Sequence, residues 1–180
     1  GQDTDIQRAI ELDQHGRTVL VDGGVLLSQL NEALLPHGLW FPVDLGADPQ
    51  IGGMIATNTG GTRLLKYGDV RHNLLGGEVV LGDGRVVSAL NRLRKNNTGL
   101  DCKHLFVGTT GVFGIVTRAV LQVAPKPRQR AVALVGCNSG AAVLNLLQTL
   151  ERDLADVLSA FEVMSAAALG PVFDHQPNLP

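Results

Sequence analysis

The chain has 180 residues and a net charge of −2 at neutral pH, with a sequence pI near 6.2. These values exclude the basic footprint of a nucleic-acid-binding domain, and no apolar run is long enough for a membrane span. Hydrophobic residues make up 44% of the chain, enough for the core of one domain, or of one domain and part of another. Two cysteines, Cys102 and Cys137, are too few for a disulfide framework. We therefore expect reduced cysteines and a cytoplasmic protein.

The first predicted elements are a strand and an amphipathic helix. Thr18–Asp22 has the pattern of a strand, and a turn precedes it. A helix follows, and Ser28 could cap it if the helix starts after this residue. The helix should end before Pro36, and it is predicted by leucines at helical spacing: Leu27, Leu30 and Leu34.

The segment Pro42–Gly68 contains two Gly-Gly pairs around a run of small residues. Each glycine removes a Cβ that would keep the main chain away from a ligand, and it allows neighbouring amides to point the same way, as in anion-binding clusters. A single glycine usually indicates only a turn. Four of them among Thr57, Asn58 and Thr62 favour a ligand, so we predict a loop that contacts a cofactor.

A β-hairpin and another strand are predicted further along the chain. Residues 77–81 and 85–87 flank Asp83-Gly84, a strong signal for a tight turn between two strands. Residues 115–123 alternate as a strand should, with Arg118 and Gln122 on the same face.

Two prolines, Pro125 and Pro127, indicate a linker over residues 125–130. This linker would separate one unit, residues 1–124, from a second unit, residues 131–180. In the second unit we predict a strand over 131–135, a helix capped by Ser139 and a returning strand over 159–164. The helix is predicted by apolar residues at helical spacing: Val143, Leu147, Leu150 and Leu154.

Four motifs together resemble the FAD-binding domain of the FAD-linked D-2-hydroxy acid dehydrogenases. They are the glycine segment Pro42–Gly68, the hairpin residues 80–84, and residues 94–101 and 105–117. Their order and spacing are most similar to the D-2-hydroxyglutarate dehydrogenase branch, with the glycolate oxidase FAD subunit and the D-lactate dehydrogenase flavoproteins as relatives. The resemblance implies an α+β fold: a partial FAD-binding domain of the vanillyl-alcohol oxidase / p-cresol methylhydroxylase type over residues 1–124, then the start of an α+β cap domain over residues 131–180.

The resemblance also implies which residues contact FAD. We call the segment Pro42–Gly68 the first glycine motif and residues 105–117 the second glycine motif. In the family, the second glycine motif places backbone amides and carbonyls against the cofactor, and the matching positions here are Gly111, Gly114, Ile115 and Val116. Thr110 stands where the family commonly has Glu, so one polar contact differs. A Rossmann site is not indicated, because these glycines precede a strand and do not open a helix. In the first motif, the positions that would flank the pyrophosphate and isoalloxazine are Pro42, Gly46, Gly52, Gly53, Thr57, Asn58, Gly60, Gly61 and Gly68.

Three neighbouring side chains have two interpretations each. Arg63 and Lys66 could neutralise a phosphate or lie on a solvated surface. Tyr67 could stack on a ligand, but packing is the better prediction for a single tyrosine beside a glycine.

The implied reaction is the oxidation of a small D-2-hydroxy acid, with hydride passing from C2 to flavin N5 while a base takes the hydroxyl proton. In the family the base and metal ligands lie in a downstream His-rich motif, which nothing here matches, and an Arg-Gly-Gly-Gly-Thr-Gly type phosphate loop precedes the position of residue 1. The five histidines are scattered, so we predict no metal site and assign no catalytic residue. Since there is also no initiating Met, we expect a piece of a longer enzyme that contributes FAD binding and is inactive alone.

Two other functions stay open. One is an FAD-dependent oxidase of the same fold that acts on an alcohol or a sugar. The other is a non-enzymatic α+β scaffold, in which the glycines only shape turns. A bound flavin would exclude the scaffold, and oxygen consumption with a panel of hydroxy acids and alcohols would separate the oxidase from a dehydrogenase. The electron acceptor and the oligomeric state are not indicated by the sequence.

Overall fold

The computed structural model describes residues 9–176. An antiparallel five-stranded sheet in the order β1–β2–β6–β4–β5 carries the core, and a short β3–β7 pair lies beside it. The strands are β1 (Ile10–Asp13), β2 (Thr18–Asp22), β3 (Leu39–Trp40), β4 (Leu74–Val80), β5 (Val86–Ala89), β6 (Ile115–Gln122) and β7 (Ala124–Pro125). The helices are α1 (Leu27–Leu34), α2 (Ile51–Thr57), α3 (Leu64–Tyr67), α4 (Val70–Asn73), α5 (Gly140–Leu154) and α6 (Ala166–His175), and the 3-10 helices are Leu35–His37, Cys102–Phe106 and Ala155–Val157. No helix within residues 9–176 is long and apolar enough to cross a membrane.

The central strands confirm the predicted patterns. β2 pairs with β6 so that Val19 lies opposite Leu121 and Val21 opposite Ala119, and all four side chains are buried. β4 and β5 form the predicted hairpin around Asp83-Gly84. β1 was not predicted, because its four residues gave too short a pattern to separate from the turn before β2.

Helix α1 has the predicted buried leucines, but its cap is not the predicted one. The helix begins at Leu27, so Ser28 does not start it later. The carboxylate of Asp48 accepts hydrogen bonds from the Ser28 amide at 2.8 Å and the Ser28 hydroxyl at 2.6 Å. An acceptor from a distant loop therefore caps this helix, which local sequence patterns do not indicate.

The central glycine segment contains a helix, and the prediction of a loop there was wrong. α2 buries Ile51, Met54 and Ile55 on one side, which is helical spacing. Two glycines lower helix propensity by roughly 1 kcal/mol each, and burial of these three side chains outweighs that cost. Gly52 is needed for packing, because a Cβ at this position would lie 3.0 Å from the Val116 carbonyl oxygen. The amide of Gly52 donates to the Gly23 carbonyl at 2.8 Å, so α2 lies directly on the sheet backbone.

The described residues after Val123 contain helices but no buried residue. The Ser139 cap of α5 is confirmed, since its hydroxyl accepts from the Ala142 amide at 3.2 Å. The strands predicted over 131–135 and 159–164 are wrong, because neither segment pairs with a described strand and an isolated strand is not stable. α6 was not predicted, and it begins after a Ser165 cap.

The start of the predicted linker lies against the first unit. Pro125 is opposite Leu39 in the β3–β7 pair, and the Lys126 amide donates to the Gly38 carbonyl at 2.9 Å. The division at residues 125–130 stays a prediction.

We expect Gly23→Ala to lower the free energy of unfolding by about 1–3 kcal/mol, because the new Cβ would collide with the Val116 carbonyl oxygen. Urea denaturation followed by the fluorescence of the single tryptophan, Trp40, would measure the change. Gly24→Ala is the matched control, since a Cβ at Gly24 has no neighbour within 4 Å. Equal effects of the two substitutions would contradict the close approach of Gly23 to the β6 backbone at Val116.

Candidate cofactor-binding site

The two predicted glycine motifs lie side by side. The amide of Gly108 donates to the Ile55 carbonyl at 3.1 Å, and the amide of Thr110 donates to the Ala56 carbonyl at 2.8 Å. Carbonyls in the last turn of a helix lack partners inside the helix, so these contacts complete the end of α2. They also fix the loop before β6 relative to the first motif.

An open groove of about 480 Å³ adjoins this loop. Its volume falls in the range of about 300–1,000 Å³ that small-molecule and cofactor sites occupy. Ile115 and Val112 are 64% and 76% exposed, and they offer apolar surface to a planar ring. Three glycines leave part of the wall without side chains, and the lining residues are Val80, Leu81, Gly82, Gly111, Val112, Gly114, Ile115 and Thr117.

Three of the four residues predicted in the second motif line this groove: Gly111, Gly114 and Ile115. A side chain at Gly114 would meet Val79 Cγ1 at 2.5 Å, so this glycine lets the chain pass close to β4. Val116 instead is buried in the core. The pairing of β4 with β6 skips Thr117, and its hydroxyl donates to the Glu78 carboxylate at 3.0 Å. Such bulges are frequent beside binding sites.

Residues 61–63, which we call the strap, connect two parts of the first motif. Arg63 pairs with the Asp44 carboxylate at 2.7 Å, and the Thr62 hydroxyl donates to the same carboxylate at 3.2 Å. A Cβ at Gly61 would collide with the backbone of Asp44, so the two chain segments are in direct main-chain contact. The strap thus fixes the turn after α2 to the loop that follows the buried Pro42.

Arg63 also lies over an aromatic pair. Its guanidinium carbon is 4.5 Å from the centre of the Trp40 ring, and Trp40 meets Tyr67 edge-on at 5.7 Å. Burial lowers the pKa of Arg63, while Asp44 acts in the opposite direction. Arg63 is therefore engaged by Asp44 and Trp40, Lys66 is exposed, and the prediction that Tyr67 packs is confirmed.

Asn58, a predicted contact residue, uses its side-chain amide within the protein. It adopts the left-handed conformation at the end of α2, with φ of 49°. Its Oδ1 accepts from the Arg71 amide at 3.0 Å, and its Nδ2 donates to Asp69 Oδ2 at 3.0 Å. Burial raises the pKa of Asp69, but hydrogen bonds from the His72 amide and the Asn58 side chain outweigh this, so the net pKa is below its ordinary value. Sequence reasoning missed Asp69 and Arg71, although Asp69 three residues before His72 is a typical helix-cap spacing.

Several other predicted residues face outward. Gly46 and Gly53 are exposed, and a Cβ at either position would have no neighbour within 4 Å. Gly60 and Thr57 are exposed too, and Gly68 ends α3. These positions leave the surface beside α2 open to a ligand. Among residues 9–176, no group of three His, Cys, Asp or Glu side chains could hold a metal ion.

Comparison with known proteins decides the nature of this domain. Residues 3–90 match the family described as "FAD binding domain". Over these residues the chain is similar to the FAD-binding domain family. The matched range contains the whole first glycine motif, which confirms FAD as the predicted cofactor.

The curated relatives of this chain confirm the predicted resemblance to the D-2-hydroxy acid dehydrogenases. The chain is 42% identical over 153 residues to the mitochondrial D-2-hydroxyglutarate dehydrogenase of Bos taurus, covering 84% of the chain and 28% of that relative. It is 36% identical over 172 residues to the D-2-hydroxyglutarate–pyruvate transhydrogenase of Saccharomyces cerevisiae, covering 94% of the chain and 35% of that relative. The chain thus spans about a third of the length of these relatives.

A solved structure of alkyldihydroxyacetonephosphate synthase has the same fold, with a TM-score of 0.58 and 26% identity over 66% of the chain and 21% of that protein. The mixed helices and sheet are therefore those of the vanillyl-alcohol oxidase type of FAD-binding domain, as predicted.

We expect Asp69→Asn to lower stability at neutral pH, because the charged acceptor of the His72 and Asn58 hydrogen bonds is lost. The folded-state pKa of Asp69 is depressed, so its contribution is present above the unfolded-state pKa and is lost as the pH falls through the folded-state pKa. The difference in urea midpoint between wild type and variant should therefore shrink below about pH 4. Asp156→Asn, at an exposed position, is the control. A difference that stays constant down to about pH 2.5 would contradict this assignment.

Proposed function

We propose that this chain is the FAD-binding part of a longer FAD-dependent oxidoreductase that oxidises a small D-2-hydroxy acid. The observation that carries the proposal is the FAD-binding match over residues 3–90, in a chain whose relatives are named D-2-hydroxyglutarate dehydrogenase at 39–42% identity. Those names support 2-hydroxyglutarate as a substrate, and the name of a further relative, "Putative D-lactate dehydrogenase", supports lactate. Glycolate is included on the sequence resemblance alone. The scaffold alternative loses its support, since the matched family is defined by the cofactor.

The chain's own residues fit the cofactor in two places. Exposed main chain at Gly46 and Gly53 leaves room for a large ligand beside α2. The groove along Gly111, Gly114 and Ile115 offers apolar surface and backbone groups to another part of the same ligand. The hydrogen bonds from the Gly108 and Thr110 amides to α2 join these two surfaces.

FAD, when bound, would supply the hydride acceptor for oxidation of the substrate. The main chain at Gly46 and Gly53 and the groove along Gly111, Gly114 and Ile115 would bind and orient the cofactor and exclude water from one side of it. No residue between 9 and 176 is assigned as the base, and we infer that substrate and proton-transfer groups come from the remainder of the enzyme.

We also infer that residues 131–180 begin a cap domain. The apolar residues of α5 recur at helical spacing, yet no residue of this helix is buried. A helix with one apolar face normally packs against another element. The cytoplasm stays the predicted compartment, although several relatives have "mitochondrial" in their names.

The second candidate function is an FAD-dependent oxidase of the same fold that acts on an alcohol or a sugar. The structural neighbour carries the name of a synthase, so this fold alone does not select one reaction.

The functional test uses the full-length protein purified with added FAD. We expect a stoichiometric flavin spectrum, bleaching of the flavin by one or more of D-2-hydroxyglutarate, D-lactate and glycolate, and no bleaching by L-2-hydroxyglutarate or L-lactate. Oxygen consumption with alcohols or sugars would favour the oxidase, and colourless protein would overturn the proposal.

Residues 1–180 alone should bind FAD weakly or not at all and show no turnover. A flavin band that survives gel filtration would contradict this expectation.

Gly53→Leu tests the position of the cofactor. The structure has open space at this Cβ, so the variant should unfold at the wild-type temperature or slightly above it without FAD. If FAD lies beside α2, the leucine should weaken FAD binding to the full-length protein about tenfold or more by steric exclusion. Gly136→Leu is the control, because it also has open space around its Cβ and lies outside both glycine motifs. Unchanged FAD affinity in Gly53→Leu would place the cofactor elsewhere.

A further inference from the structure

The end of α2 and the loop before β6 are joined a second time through side chains. Asn58 accepts from the Arg71 amide, and the Arg71 guanidinium donates to the Val107 carbonyl at 2.8 Å and the His104 carbonyl at 3.3 Å. Asp69 accepts from Asn58 and from the His72 amide. We call the side chains of Asn58, Asp69 and Arg71 the clamp.

The clamp spans both glycine motifs. Asn58 lies within the first motif, and Val107 comes directly before Gly108, whose amide also bonds to α2. The side chain of Asn58 has one acceptor and one donor group, and each already has a partner inside the protein. Two of the four hydrogen bonds that an asparagine side chain can form are therefore made inside the protein, and these two bonds fix the orientation of the amide.

We propose that Asn58 is a positioning residue, and that the clamp of Asn58, Asp69 and Arg71 sets the distance between the two surfaces that bind FAD. This inference rests on the proposed function. It replaces the direct FAD contact that sequence resemblance implied for Asn58. Arg71 supplies the longest link of the clamp, because its two guanidinium contacts reach the 3-10 helix before Gly108.

The hydrogen-bond geometry allows the amide of Asn58 and the carboxylate of Asp69 to be exchanged by mutation. In Asn58→Asp the Arg71 amide keeps its acceptor, but the donor to Asp69 is replaced by a second carboxylate, so two negative groups face each other. In Asp69→Asn two amide groups meet instead. In the double variant N58D/D69N, residue 58 still accepts from Arg71, while the amide of residue 69 donates to residue 58 and its oxygen accepts from His72. Aspartate tolerates the left-handed backbone of position 58 almost as well as asparagine does.

The experiment measures FAD dissociation and the visible circular dichroism of the bound flavin in the full-length protein. We expect N58D to weaken FAD binding about tenfold and D69N less, and the double variant to return to within about threefold of wild type. Asn97→Asp and Asp156→Asn, both exposed, are the charge controls. The flavin signal should change in the single variants and return in the double variant.

The outcomes separate the possibilities. A double variant as weak as N58D would overturn the inference, because it would mean that residue 58 must be an amide for the ligand itself. Single variants that lower only the unfolding temperature, with unchanged flavin dichroism and affinity, would also overturn it, since the clamp would then be structural alone. If the wild-type protein binds no FAD, both the proposed function and this inference are wrong. If the wild-type protein binds FAD but the double variant does not regain FAD affinity, only the inference is wrong.

A second variant keeps the test decisive if N58D does not fold. Arg71→Lys keeps the charge but cannot hold both carbonyls in the planar geometry of a guanidinium. We expect faster FAD dissociation and an altered flavin dichroism in this variant, with the Asn58 contacts intact. Wild-type values for both would overturn the proposal.

Discussion

Direct contact between the backbone of α2 and the central sheet determines the arrangement of the whole site. The amide of Gly52 bonds to the Gly23 carbonyl, and the Val116 carbonyl lies where side chains on either glycine would have to fit. Three large side chains of α2, Ile51, Met54 and Ile55, enter the core and hold the helix in this place. Glycine is therefore required here for packing, independently of any ligand. Because the helix lies so close to the sheet, its last turn meets the loop that leads into β6.

Several weaker interactions complete this arrangement. The strap ties the residues after α2 to Asp44, and the clamp ties its end to Arg71 and the 3-10 helix before Gly108. Both connections use a charged group that is partly buried, where hydrogen bonds are stronger than at an exposed surface. A binding surface built on short loops gains its rigidity from such supporting contacts, and the affinity for a large cofactor depends on that preorganisation. The same contacts explain why polar residues are frequent in a segment that a sequence motif would assign entirely to ligand binding.

The glycines of the first motif thus serve two different purposes. Gly52 and Gly61 allow main-chain contacts inside the protein, whereas Gly46 and Gly53 leave open surface. A sequence pattern treats these four residues alike, because it records only the missing side chain. The two roles can be distinguished only by the atoms that surround the position where a Cβ would lie: a crowded position indicates packing, and an open position leaves surface for a ligand.

The sequence by itself determined the cofactor class, the β4–β5 hairpin, the buried leucines of α1 and the central strands β2 and β6. Each of these follows from a local pattern or from motif order, which need no knowledge of distant contacts. The tertiary structure decided that the glycine segment contains a helix, that Asp48 caps α1, and that Asn58 is engaged by Asp69 and Arg71. It also decided that residues 131–135 and 159–164 form no strands. In each of these cases the outcome depends on partners distant in sequence, because burial, capping and strand pairing gain free energy only from the groups that the fold brings into contact.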